Sequence, residues 1–475
     1  MRVLFAVPRS FNPKQMYREY PLGVGFLGTL LQAGGHEVAV FDQNVEGLDD
    51  DALFQQIARF QPDLVGFSVI TPNYPVARRQ MRALRRQHPE IQIIAGGVHA
   101  SLFPEDLIAD GAQAVVRGEG EQVIGELVTR LESGHNLAGL NGVVFSDPAG
   151  RFVQPSGWSR SGPLDDLPVV NRRLYNLPCY THHSMLASRG CPHHCAFCCN
   201  YTGSVRDEGV AVRAHERVID EMEGLRDEFG AREIFFADDI FLLRRRSILD
   251  FCQACATRRL GVRWIGQMRA DRVDTETAAA MAQAGCQRIY FGVESGSDAI
   301  LARASKGMTT AQIRTGVHAA LKVGMRVKTG WIYGLPGSLE EQYASLQFML
   351  DLRPHEISIH QLIPFPGTPY YTDPDRFGIR IADPKAFESF CYGGLDGGVR
   401  FDYLSQAQLG RLLEDTGKAL EAAGYISSDQ ATPDSKYIYT TPLHRLSMNV
   451  FAPPSIPADA KVAEPAPVPA EPAFC

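Results

Sequence analysis

Long apolar runs are what this chain most plainly lacks: no stretch reaches the roughly 20 residues that a membrane-spanning helix needs. An excess of basic residues is missing too. With 47 Lys and Arg against 54 Asp and Glu the formal charge is −7, which leaves no electrostatic case for a nucleic-acid partner. No export signal opens the sequence, because the apolar run from Val3 to Val7 is short, meets Pro8 and reads as a strand. The ten cysteines are not spaced like the staples of a small secreted domain, so a reducing, low-oxygen cytoplasm is the expected compartment. No G-x-G-x-x-G follows the first strand, which removes the fingerprint of nicotinamide and flavin sites. What is present is 475 residues at 45% hydrophobic content, enough for two or three cored domains.

Among those cysteines, three stand in one short loop: Cys191, Cys195 and Cys198, spaced C-x3-C-x2-C after an apolar stretch. Three thiolates so placed can hold three irons of a [4Fe–4S] cube, and with no fourth cysteine in register one iron stays open to another ligand. A zinc site would want four ligands, typically two separated pairs, and His193 or His194 would have to supply the fourth from inside the same tight loop. Cys199 makes C-x3-C-x3-C formally possible, but Phe197 in the slot before Cys198 favours the first register. The loop resembles that of the radical S-adenosylmethionine (SAM) superfamily. The resemblance implies that SAM chelates the open iron and is cleaved reductively.

Residues 1–140 alternate strands (Arg2–Pro8, His36–Asp42, Asp63–Thr71, Ile91–Gly97, Ala112–Gly118) with helices (Leu22–Ala33, Ala52–Phe60, Tyr74–Gln87, Glu105–Ala109, Glu121–Glu132). That alternation predicts a doubly wound, Rossmann-like parallel sheet with ligand loops at the strand C-termini. Small and polar residues fill several of those ends, among them Ser10 after the first strand, Ser68, Gly96-Gly97-Val98-His99 and Gly118-Glu119-Gly120-Glu121. Together with Pro21-Leu22-Gly23 and Gly35-His36-Glu37-Val38, these pieces resemble the cobalamin (B12)-binding domain that precedes many radical SAM cores. The resemblance implies cobalamin contacts from Ser68, Gly96, Gly97, His99, Gly118 and Glu119. One departure is plain: the D-x-H-x-x-G motif, whose histidine ligates cobalt in other B12 proteins, is absent. His99 is the candidate substitute, but a histidine after Gly-Gly more often hydrogen-bonds within its loop, and that reading is the stronger.

Residues 141–182 hold a candidate hairpin around Pro148-Ala149-Gly150 and a Pro-bearing connector. Over 183–370 six strands recur (Ser184–Ser188, Glu233–Ala237, Arg263–Met268, Arg288–Val293, Arg326–Tyr333, Glu356–Ile363) with helices between them, matching the partial (β/α)6 barrel of radical SAM enzymes. In β/α barrels the chemistry sits at strand C-termini. The second strand ends in Asp238-Asp239, acceptors suited to an ammonium group, of which one is expected to cap a helix and one to face the site. Arg269 ends the third strand and can serve either the methionyl carboxylate of SAM or a structural ion pair with Asp271. After the fourth, Gly292-Val293-Glu294-Ser295-Gly296 is similar to a superfamily segment, which implies that Glu294 receives ribose hydroxyls and Ser295 reaches the methionyl part. Gly334 ends the fifth and would let backbone approach adenine. The sixth ends Pro364-Phe365-Pro366-Gly367-Thr368-Pro369-Tyr370, similar to a segment of cobalamin-type relatives.

Cys252 and Cys255 read as helix core instead of a second cluster, and Cys179, Cys286 and Cys391 stand alone. Residues 371–446, with a helix over Ser405–Ala423 and aromatic loops at Phe387–Tyr392 and Tyr437–Tyr439, form a candidate capping region. Residues 447–475 are Pro- and Ala-rich and read as a disordered tail in which Cys475 is incidental. The expected activity is radical SAM chemistry with a [4Fe–4S] cluster, SAM and cobalamin, methylating an unactivated carbon of a small molecule. Electrons would come from a flavodoxin or ferredoxin. Ring closure, ring contraction and dehydration or deoxygenation are the alternatives within that chemistry. A non-catalytic B12- or Fe–S-binding regulator and an Fe–S electron carrier are those outside it. No catalytic side chain is assigned beyond the cluster and SAM sites, and neither substrate nor oligomeric state is legible.

Overall fold

The computed structural model describes residues 1–9, 19–46, 49–147, 149–155, 157–199, 210–387, 390, 398–427 and 438–441. Ser10, Cys391, Tyr392, Tyr437, Cys475 and the 447–475 segment lie outside the described residues.

The first sheet holds β1 (Arg2–Val7), β2 (Glu37–Asp42), β3 (Leu64–Ser68), β4 (Gln92–Gly96), β5 (Ala114–Val116), β6 (Val143–Ser146) and β7 (Phe152–Val153), in the order β2-β1-β3-β4-β5-β6-β7. The pairings from β2 to β5 are parallel, as the strand–helix alternation predicts, and β5–β6 and β6–β7 are antiparallel. The hairpin expected in the connector therefore extends this sheet. Helices α1 (Leu22–Ala33), α2 (Asp50–Phe60), α3 (Tyr74–Gln87), α4 (Val98–Leu102), α5 (Pro104–Ala109) and α6 (Ile124–Glu132) connect the strands. In α3, Tyr74, Ala77, Met81 and Leu84 recur at helical spacing and are buried, while Arg79, Arg82 and Arg86 are exposed. Strand order reverses between β1 and β3, the switch point at which doubly wound sheets bind ligands.

The second sheet runs β8 (His183–Met185), β11 (Glu233–Phe236), β12 (Arg263–Met268), β13 (Cys286–Glu294), β14 (Arg326–Tyr333), β15 (Glu356–Gln361), all paired in parallel. It continues antiparallel into β19 (Ile438–Thr440) and β18 (Ile426–Ser427), which come from the region expected only to cap. Outside this sheet, β9 (Ser188–Arg189) pairs with β10 (Ala211–Val212), and β16 (Ile379–Ile381) with β17 (Val399–Phe401). The helices are α7 (His215–Phe229), α8 (Arg245–Arg258), α9 (Thr275–Gln283), α10 (Asp298–Arg303), α11 (Thr310–Lys322), α12 (Leu339–Leu352), α13 (Pro369–Thr372) and α14 (Gln406–Ala422). Reciprocal capping boxes start α9, α11, α12 and α14, from Asp274, Thr309, Ser338 and Ser405. Each cap of this kind is worth about 1 kcal/mol, which fixes where these helices begin and so where the strand-end loops stop. Among the described residues no helix is long and apolar enough to cross a membrane.

Candidate active site

The cysteine loop departs from the end of the first barrel strand, but not as one continuous strand. After β8 ends at Met185, the chain turns into β9, and two carboxylates from the end of β11 hold the turn. Asp238, 2% exposed, accepts the backbone N–H of Ala187 at 3.0 Å and that of Ser188. Asp239 accepts the N–H of Gly190 at 2.8 Å. Neither caps a helix, since the residue at the N-cap of α8 is Arg244. This corrects the expected cap: both carboxylates shape the cysteine loop, Asp238 buried behind it and Asp239 exposed beside it. Burial pushes the Asp238 carboxyl up to about 7 against the pull of those N–H donors. Gly190 sits at φ +94°, a turn that a residue with a Cβ adopts only under strain.

Within the loop, Cys198 donates its N–H to the Cys195 carbonyl at 3.0 Å, and Ala196 donates to the Ala304 carbonyl at 2.9 Å just after α10. Cys191 and Cys195 take part in no disulfide. Among the described residues no three His, Cys, Asp or Glu side chains converge on one point. A closed zinc site would also need a fourth ligand from inside the same loop. Three soft thiolates on one short loop fit three corners of an iron–sulfur cube. Burial raises the Cys191 and Cys195 thiols, while Arg269 and Lys306 pull both back toward the thiolate that iron requires. Cys252 and Cys255 lie buried on α8 with thiols pushed up to about 12, as inert core groups.

Lys306, which the sequence reading missed, joins the residues expected to bind SAM. Its Nζ lies 2.7 Å from Glu294 Oε1 and 5.7 Å from the centre of the Phe197 ring, between two of the cysteines. It is 7% exposed, and nothing in Ser305-Lys306-Gly307 marks it; only the turn after α10 brings it there. Glu294 itself has φ +68° and folds back so closely that a Cβ at Gly292 would meet its Oε1 at 2.4 Å.

Three more of the residues expected at the SAM site are engaged within the protein. Arg269 takes the structural pairing: Nε and Nη2 each reach Asp271 at 3.1 Å, and Nη1 and Nη2 donate to the carbonyls of Lys306 and Gly307 at 2.7 and 2.9 Å. Four of its five N–H groups are thus engaged within the protein. Ser295 is 1% exposed, lies 3.3 Å from the Ser345 hydroxyl and accepts the Ser297 N–H at 3.1 Å, so it builds the turn after β13. At Gly334, with φ +92°, the flat group is this chain's own Phe401: a Cβ would meet that ring at 3.0 Å, and Tyr403 donates to the Gly334 carbonyl at 2.8 Å. The Pro364–Tyr370 segment closes on itself through Thr368 Oγ1 to the Phe365 carbonyl at 2.7 Å and buries Tyr370 against Phe377.

In the N-terminal domain a cavity of about 270 Å³ opens at the C-terminal ends of β3, β4 and β5. Ser68, Gly96, Gly97, Gly118 and Glu119 all line it, so the structure gathers five of the six residues proposed for cobalamin. Gly23 and Gly96 keep it open. A Cβ at Gly23 would meet nothing within 4 Å and one at Gly96 nothing closer than 3.8 Å, so any side chain there would project into the space. A mostly apolar trough with a glycine floor fits a bulky cofactor tail. His99 is the sixth residue and is not among the lining. It is fully buried, stacks on Tyr74 with centroids 4.2 Å apart, and sets Nδ1 3.2 Å from Thr71 Oγ1. His99 thus hydrogen-bonds locally and stands apart from the cavity lining.

The two sites share a wall. Arg189 also lines the cavity; its Nη1 reaches Glu119 at 3.0 Å and its Nη2 reaches Glu121 at 2.8 Å.

An iron–sulfur loop on a partial β/α barrel, abutting a doubly wound domain with an open cavity, defines a two-cofactor enzyme class. Residues 16–128 match the B12 binding domain family, and residues 185–349 match the Radical SAM superfamily. An uncharacterized methyltransferase of Pyrococcus horikoshii is 30% identical over 369 residues, spanning 73% of this chain and 77% of the relative. The anaerobic magnesium-protoporphyrin IX monomethyl ester cyclase of Rubrivivax gelatinosus is 28% identical over 366 residues, 72% of this chain and 65% of the cyclase. The structure of the radical SAM methyltransferase TsrM from Kitasatospora setae, with cobalamin and a [4Fe–4S] cluster bound, superposes with a TM-score of 0.72 at 22% identity, covering 87% of this chain and 91% of that one, and supports the fold. The chain belongs to the B12-binding-domain branch of the radical SAM superfamily.

Proposed function

We propose that this protein is a cobalamin-dependent radical SAM enzyme that methylates an unactivated carbon of a small molecule. The observation that carries the proposal is the shared wall: the cysteine loop and the N-terminal cavity meet at Arg189, so two cofactors would face one space between the domains. When bound, the cluster supplies the low-potential electron that cleaves SAM to a 5′-deoxyadenosyl radical, and cobalamin carries the methyl group.

In this reading Cys191, Cys195 and Cys198 hold three irons, and Lys306 and Arg269 offset the thiolate charge. Asp239 and the Glu294–Lys306 pair stand on the SAM side, the first toward its amino group and the second toward its ribose. Ser68, Gly96, Gly97, Gly118 and Glu119 cradle the cobalamin. An external flavodoxin or ferredoxin supplies electrons. Ring closure is the second reading, favoured by the cyclase relative.

The test is anaerobic reconstitution of the full chain with iron, sulfide and hydroxocobalamin, followed by SAM and a reductant. The expected result is about four irons and one cobalt per chain, with 5′-deoxyadenosine released. Replacing the three loop cysteines with Ala should abolish both the cluster absorption near 400 nm and the nucleoside. A wild-type protein that takes up iron but no cobalt would redirect the reading to cobalamin-free cyclisation. Iron uptake by the triple variant would remove the ligand assignment.

A further inference from the structure

We infer that Arg189 is a positioning residue that transmits occupancy of the N-terminal cavity to the environment of the iron–sulfur cluster. The inference rests on the function proposed above. Arg189 belongs to both sites: it stands two residues before Cys191, and its side chain lines the cavity. The carboxylates that hold its Nη1 and Nη2, Glu119 at 3.0 Å and Glu121 at 2.8 Å, line the same cavity from the opposite domain. Ser161 completes the clamp. Its Oγ lies 3.3 Å from Arg189 Nη1, and its N–H and hydroxyl donate to Glu119 Oε2 at 2.7 and 2.6 Å.

A guanidinium fork pinned by two separate carboxylates is fixed in direction as well as place. The backbone on its cluster side has little slack, because Asp238 holds the Ser188 N–H and Asp239 the Gly190 N–H. On the cavity side, Gly118 is packed so tightly on the Ser159 carbonyl that a Cβ would come within 2.3 Å, which anchors the start of the 118–121 loop. A ligand that moves Glu119 or Glu121 therefore moves Arg189, and through it the start of the cysteine loop. Charge acts in the same direction. Two carboxylates meet one guanidinium at an interface where side-chain exposure is 17, 18 and 6% for Arg189, Glu119 and Glu121, so water screens poorly there. The potential of an iron–sulfur cluster responds to nearby charge and to hydrogen bonding around its sulfurs. An ion pair that served stability alone would not need to line the cavity with both of its partners.

The experiment uses the full chain with its cluster reconstituted, with and without hydroxocobalamin. Iron is supplied as the Mössbauer-active isotope and samples are reduced with titanium(III) citrate. The readouts are the cluster's Mössbauer parameters, to which neither titanium nor cobalt contributes, and its half-reduction potential, with bound cobalt and iron counted in each sample. In the wild type both readouts are expected to shift when cobalamin binds. Glu121→Gln, which alters no residue of the cluster loop, and Arg189→Gln are expected to load iron and lose the shift, and Arg189→Lys to retain part of it. If Arg189→Gln fails to load iron, Glu121→Gln decides. Cobalamin bound to the wild type with the cluster signal and potential unmoved would overturn the coupling and leave the proposed function standing. A shift that survives intact in Glu121→Gln and Arg189→Gln would overturn the role of Arg189. No cobalt in the wild type would overturn the proposed function, and this inference with it.

Discussion

The buried His99 ring has its Nδ1 beside Thr71, while its Nε2 meets no partner among the described residues. Phe387 meets the ring edge-to-face at 4.7 Å, opposite the Tyr74 stack. Burial lowers its pKa from 6.5 to about 3. The unfolded chain therefore takes a proton at this side chain below pH 6.5, and the folded chain does so only near pH 3. The stability contributed by the neutral ring is full above pH 6.5 and is lost as pH falls, by about 2 kcal/mol at pH 5. Urea titrations at pH 7.5 and 5 should show the wild type losing about that much more than His99→Phe, and equal losses would acquit the histidine. At this scale the sequence told residue chemistry better than partnership. The cysteine loop was legible because its three thiols are neighbours in the chain. Asp238 and Asp239 announced themselves as acceptors, but their donors are backbone groups of a different strand end, which no local spacing encodes. The position of Lys306 and the carbonyl partners of Arg269 depend in the same way on the turn after α10.

One buried carboxylate ties three elements together. Glu221 on α7 accepts from Arg172 Nη2 at 2.8 Å and Arg213 Nη1 at 2.6 Å, with all three residues at most 6% exposed. Arg172 comes from the connector and also donates to the Ser184 carbonyl at 2.9 Å and to the Tyr20 hydroxyl at 2.8 Å, so the first domain, the connector and β8 meet there. Glu221→Gln removes the charge that two buried guanidiniums share and should cost about 3–5 kcal/mol. The neighbouring Arg173–Glu228 pair is as short, at 2.7 Å, but its side chains are 73 and 51% exposed, and Glu228→Gln should cost about 1 kcal/mol or less. Chemical denaturation of the two variants measures the contrast, and similar losses would refute the burial argument. The connector read as a mere linker because charged residues among prolines look like solvated loop. By contrast, α1 and α3 are found where their 3.6-residue patterns lie, as are β12 and β14 where their apolar runs lie. The two- and three-residue strands β9, β10, β18 and β19 escaped notice, since pieces so short are defined by the edge they pair with and carry no period of their own.

Domains joined in one chain move relative to one another by default unless their interface is large and apolar. Here the first domain is gripped at three places far apart in sequence: by Arg172 and Tyr20 at the connector, by Arg189 at the cysteine loop, and by the segment after β16. In that last grip Phe387, 3% exposed, sits among His99, Phe103 and Tyr74 with ring centroids 4.7, 5.0 and 5.4 Å away, and Lys385 reaches Asp106 at 3.3 Å. The C-terminal region thus reaches beyond the barrel to the far domain. Phe387→Ala removes a buried ring worth about 3–5 kcal/mol, all of it at the junction. The two domains should then uncouple, and a single calorimetric unfolding transition should split, with the N-terminal domain melting first. Lys385→Ala, whose side chain is 62% exposed, should leave one transition and change stability by less than about 1 kcal/mol. A Phe387→Ala protein that still unfolds in one transition at the wild-type temperature would mean that the connector and Arg189 hold the domains without it.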